Sequence, residues 1–198
     1  MAVHTSGDPF IKGPIPYAWI QSACWLPGAG LRVSMACRFL CCRFRRENRW
    51  DLGEIATGLR ISGPSARRGL HAAELAGLLA VERELGCKLA VCVLELSEAE
   101  SGSRRRPLYG PIPWSWWLPA SRLPGKTLQV ASVCWLLAGW NRSAEFELAM
   151  GDWAEFGLSR FSASRGLDEL ERAELVCVHR MLGRSPSVTI LDDTGANA

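Results

Sequence analysis

The chain has 198 residues, of which 48% are hydrophobic and 22% charged, with a net charge of +3. That composition belongs to a globular protein and excludes a low-complexity or highly charged disordered chain. No apolar run reaches the roughly 18 residues of a membrane-spanning helix, and the start MAVHTSGDPF carries no apolar core of a secretory signal. Eight cysteines without such a signal predict a reducing, cytoplasmic location, and the lack of a spanning run predicts no membrane partner.

An internal repeat organises everything else. Residues 61–94 align with residues 158–191 without a gap, and Gly13, Leu70 and Gly86 correspond to Gly110, Leu167 and Gly183 at a constant offset of 97. This predicts two domains, 10–95 and 108–192, joined by a linker at 96–107. Residues 1–9 and 192–198 are expected to be loose tails.

In chain order, each repeat opens with a shared segment, GPIPYAWIQSACWLPG at 13–28 and GPIPWSWWLPASRLPG at 110–125. The prolines set an extended entry, followed by one or two helical turns in which Trp19 and Trp116 anchor the arm to the core. Residues 31–44 and 128–140 are apolar nearly all round and predict the buried helix of each domain. A second helix is placed at 51–59 and 148–156.

The third helix carries the clearest pattern. In LSRFSASRGLDELERAEL (158–175) Ala163, Leu167 and Leu170 form one stripe. Arg165, Asp168 and Glu169 lie on the far side, and Ser159 is set to cap the start. The first repeat presents Ser62, Ser65, Arg67, Arg68 and His71 in the same places, and the second adds Arg160, Ser162 and Ser164. Each third helix is followed by two β-like runs, 79–83 with 89–94 and 176–180 with 187–191. Only these are clearly β. Arg83, Lys88, Arg180 and Arg184 fall at or near the hairpin ends. The polar linker ends in Arg104, Arg105 and Arg106, suited to a phosphate backbone.

Six cysteines lie in the first repeat and two, Cys134 and Cys177, in the second; no CxxC or CxxH spacing occurs. The expectation is buried reduced thiols and no metal. His4, His71 and His179 lack a nucleophile or carboxylate at a catalytic spacing, and no phosphate-binding glycine motif is present. Neither enzyme activity nor a cofactor is predicted. Charge is uneven: 12 Lys and Arg against 8 Asp and Glu up to residue 97, then 11 against 12. On charge alone the first repeat is the stronger binder of a polyanion.

A helix with an outward face of Ser and Arg, followed by a hairpin with basic ends, resembles the winged helix-turn-helix of DNA-binding regulators. The resemblance implies a mainly α fold with a small β component (α+β), built as two tandem winged helix-turn-helix domains. It implies double-stranded DNA as partner, with Ser62, Ser65, Arg67, Arg68, His71, Arg83, Lys88, Arg104, Arg105, Arg106, Ser159, Arg160, Ser162, Ser164, Arg165, Arg180 and Arg184 as contacts. The function expected is transcription regulation in a bacterial cytoplasm, with the two heads acting as an intramolecular pseudo-dimer. Two other readings fit the same pattern. One is a plasmid-type replication initiator. The other is a non-enzymatic protein-interaction module acting on another regulator, with the less basic second domain holding the protein partner.

Overall fold

A computed structural model describes residues 9–43, 49–83, 88–95, 106–149, 153–181 and 184–191. It is a mixture of helices and small sheets, an α+β fold. The chain divides into two units, Pro16–Arg105 and a second made of Met1–Ile15 with Arg106–Ala198.

The first unit starts with α1 (Tyr17–Trp25), a nine-residue helix that buries Tyr17, Trp19, Ile20, Ala23 and Cys24. Next is α2 (Gly30–Arg43), buried through most of its length. The short strand β2 (Arg49–Trp50) leads into α3 (Leu52–Gly58), whose start is capped by the Asp51 carboxylate accepting from the Gly53 amide. Helix α4 (Gly63–Leu75) begins at Ser62, whose hydroxyl accepts from the Ser65 amide, with Pro64 in the first turn, where its missing N–H costs nothing. Ala66, Gly69, Leu70 and Ala73 form its buried stripe. A Cβ on Gly69 would lie 3.0 Å from the backbone of Ala29 and 3.1 Å from Val33 Cγ2, so glycine sets how closely α4 approaches α2. The hairpin β3 (Leu79–Glu82) and β4 (Leu89–Val93) follows. Strand β2 pairs with β4, giving the order β2-β4-β3.

The second unit repeats this plan. Its strand β5 (Ile112–Pro113) pairs antiparallel with β1 (Phe10–Ile11), and Ile15 bridges to Leu108. That pairing draws residues 10–15 into this unit, whereas the sequence assigns them to the first domain. Helix α5 (Trp114–Arg122) and the buried α6 (Thr127–Asn141) precede strand β6 (Glu145–Glu147). Helix α7 (Arg160–Arg172) is opened by a capping box between Ser159 and Ser162 and buries Ala163, Gly166, Leu167 and Leu170. The hairpin β7 (Val176–His179) and β8 (Ser187–Ile190) completes a sheet of order β6-β8-β7.

In both units one buried indole ties the entry helix to the start of the hairpin. Trp19 donates to the Leu78 carbonyl at 3.4 Å, and Trp116 to the Leu175 carbonyl at 3.0 Å. The anchoring role expected of these tryptophans is what the packing shows.

Several local expectations need correction. The helix expected at 148–156 is a single 3-10 turn, Ala154–Phe156. Trp153 and Phe156 are both buried, and a 3-10 turn aligns residues three apart on one face. β-Structure is not confined to the hairpins, because β1, β2, β5 and β6 are also strands, too short to show a period of two. Of the described cysteines, Cys24, Cys37 and Cys134 are buried, Cys41 and Cys42 half-buried, and Cys92 and Cys177 exposed. The last two fall on the outward side of alternating hairpin strands. Burial pushes the Cys37 and Cys134 thiols up to about 12. The two terminal tails fall almost entirely outside the described residues, Pro9 and Leu191 being their described neighbours.

Candidate nucleic-acid interface

The third helix of each unit, α4 and α7, turns one stripe into its core and the other toward solvent. On α4, Arg67, Arg68 and His71 are exposed, with Ser62 exposed and Ser65 half-buried at the capped start. On α7, Arg160, Ser164 and Arg165 are exposed, with Ser159 and Ser162 occupied in the capping box. The serine hydroxyls are therefore partly committed to backbone amides: Ser62 Oγ also donates to Ser65 Oγ at 2.9 Å, and Ser162 Oγ bonds the Ser159 backbone.

Three of the four cations at the hairpins, Arg83, Lys88 and Arg180, have acidic partners. Arg83 donates to both oxygens of Glu74, at 2.9 and 2.6 Å. Arg180, its equivalent, reaches Glu171 at 2.7 Å and Asp168 at 2.6 Å. Glu171 also accepts from the Val178 amide at 3.1 Å. Hydrogen bonding from Arg83 holds the Glu74 carboxyl below the usual carboxylate range, and Arg180 does the same to Glu171. His71 lies 3.9 Å from Glu74, and Lys88 3.6 Å from Glu54. The same helix-to-hairpin ion pair thus recurs in both copies.

These pairs redistribute the charge that the sequence exposes. Asp168 is answered by Arg180, and Glu169 by Arg172 at 2.6 Å. Each acid expected on the outward side of α7 thus has a cationic partner, with Arg180 shared between Asp168 and Glu171. Among the described residues, Arg67, Arg68, Arg160, Arg165 and Arg184 form no ion pair, and all five are exposed. These are the cations most available to an anionic ligand. Arg106 is exposed at the end of the linker; Arg104 and Arg105 lie outside the described residues.

Two further residues belong to this surface and were not singled out from sequence. Phe161, on the first turn of α7, is 72% exposed, with the Arg165 guanidinium 5.7 Å from its ring centroid. Arg60 is exposed in the turn between α3 and α4 with φ of 53°. A pattern search keyed on serine and basic residues passes over an outward phenylalanine. The i,i+4 spacing of Phe161 and Arg165 was the available signal.

Chemically, the surface offers donors and positive charge. Among the described residues no group of three His, Cys, Asp or Glu side chains could hold a metal ion. Among the same residues no helix is long and apolar enough to cross a membrane. No protein-family model matches the chain, and no curated protein or solved structure does either.

Proposed function

We propose that the chain is a sequence-specific, DNA-binding transcription regulator built from two winged helix-turn-helix domains. The observation that carries this reading is the order of elements in each unit. A buried helix, a short strand, a helical turn, a capped helix and a hairpin follow one another, and the short strand pairs with the hairpin's second strand. That order is the one expected of a winged helix, in which α4 and α7 would serve as recognition helices and the hairpins as wings. The outward arginines support it, since Arg67, Arg68, Arg160 and Arg165 leave their guanidinium groups for guanine edges or phosphates. Two heads in one chain raise each other's effective concentration on DNA, and because they differ in sequence the target is a pair of unlike half-sites.

Electrophoretic mobility with genomic fragments and competitor DNA tests this. A saturable, competitor-resistant shift that weakens in the Arg68→Ala chain is expected. A shift confined to origin DNA would instead favour a replication initiator. Absence of any shift at low salt would favour a protein-interaction module.

A further inference from the structure

We infer that Phe161 and Arg165 together read a C5-methylated pyrimidine next to a guanine in the major groove of the second domain's half-site. The inference rests on the DNA-binding reading above. Phe161 is the second residue of α7, in the turn whose side chains reach base edges when such a helix enters the groove. At 72% exposure Phe161 stands mostly in solvent. One helical turn on, the guanidinium of Arg165 rests against that ring at 5.7 Å. At that distance the guanidinium is within cation–π reach of the ring, which keeps its N–H donors close beside it. An apolar surface and a fork of donors therefore stand side by side. The major groove offers the matching pair: the methyl of a 5-methylpyrimidine is its apolar feature, and guanine N7 and O6 accept a fork of donors.

The acids that would repel a phosphate backbone here are engaged, Asp168 by Arg180 and Glu169 by Arg172. Beside Phe161, Arg160 is exposed without an ion pair among the described residues. In the first domain the position of Phe161 is held by Pro64, so Arg68 stands without an aromatic partner one turn before it. Methyl reading belongs to one half-site only.

The C5-methyl group occurs on thymine and on 5-methylcytosine, and the test separates them. The full chain is used to select a binding sequence from a random DNA pool, and each thymine of that sequence is then replaced by uracil, which removes only the methyl. One such replacement should weaken the wild-type chain about fourfold, the value of one buried carbon. The same replacement should leave Phe161→Ala indifferent, and Phe161→Leu should keep part of the discrimination. With cytosine and 5-methylcytosine placed there, tighter binding of the methylated base supports a site for both sources; equal binding supports one for thymine alone. Equal weakening of Phe161→Ala on thymine and uracil DNA, or unchanged methyl sensitivity, would overturn the inference while DNA binding stands. Selection that enriches no sequence would overturn both.

Discussion

The two domains hold the same indole in the same place and surround it differently. Trp19 lies beneath the guanidinium of Arg38, 5.2 Å from the ring centroid, and Arg38 is only 4% exposed and paired with Glu95 at 3.1 Å. The equivalent of Arg38 in the second domain is Trp135, which meets Trp116 edge-on at 5.3 Å. An indole face attracts a cation and an aromatic edge alike, so the neighbour was free to change. What did not change is the hydrogen bond to the chain just before the hairpin, at Leu78 and Leu175. The duplicated copies keep the backbone contact and vary the side chain that covers it.

The largest effect should come from removing the indoles. Trp116→Ala and Trp19→Ala should each cost about 3–5 kcal/mol of stability, and Trp116 the more, because it loses the shorter hydrogen bond and an aromatic partner. Chemical denaturation of each variant measures this. A greater loss from Trp19 would mean that the buried Arg38, once stripped of its ring, dominates the balance.

Binding gives the next contrast. Arg68→Ala and Arg165→Ala should each cost about 1–3 kcal/mol of DNA affinity if they read guanines. From charge alone the first domain should dominate. With Asp168 and Glu169 paired internally, the two losses should instead be of similar size. Arg83→Ala and Arg180→Ala should change affinity and its salt dependence less, because each cation is already held by a carboxylate. Titration at several salt concentrations checks the ranking, and a steep loss from Arg83→Ala would show that its ion pair opens on DNA.

A smaller effect tests the backbone. The chain passes through left-handed conformation at three repeated positions; glycine fills both copies at Gly28 and Gly125, and only one copy at the other two. Gly77 (φ 69°) corresponds to Glu174 (φ 56°), and Gly157 (φ 68°) to Arg60 (φ 53°). A side chain in that region costs about 1–2 kcal/mol. Glu174→Gly should therefore stabilise the second domain by up to about 1 kcal/mol after the entropy that glycine adds to the unfolded chain, and Arg60→Gly the first. Thermal unfolding resolves the shift; a lower melting temperature would show that these side chains make contacts that offset the strain.

The smallest effect is pH-dependent. Glu74 and Glu171 titrate below the ordinary carboxylate range because arginines hold them ionised. Their contribution is present at neutral pH and disappears as pH falls through the depressed folded-state values, where the carboxylates protonate. The four side chains keep between 28% and 51% of their surface exposed, so each pair is worth at most about 1 kcal/mol. Glu74→Gln and Glu171→Gln should destabilise slightly at pH 7 and converge with the wild type at acid pH. A gap that persists in acid would assign the loss to something other than the ion pair.

The repeat, the stripes of α4 and α7, the Ser159 cap and the hairpins were legible in the sequence because each depends on neighbours a few residues apart. Helical spacing brings Ala66 to Leu70 and Ala163 to Leu167, and strand alternation marks the hairpins. The short strands β2 and β6 were not legible, since two or three residues show no period and gain their pairing from β4 and β8, far along the chain. The boundary at residue 15 likewise follows from the pairing of β1 with β5.

The outward surface divides in the same way. Which residues point out was readable from helical spacing; which of them remain available was not. Whether Arg180 is a free cation depends on Asp168 and Glu171 lying across the gap between helix and hairpin, and whether Asp168 repels a phosphate depends on the same contact. By itself the sequence determined the duplicated architecture and the orientation of each helix face, because those are set by local spacing. Only the tertiary structure decided the charge that each face presents, because ion pairing is a matter of distance between elements, and spacing along the chain carries no record of it.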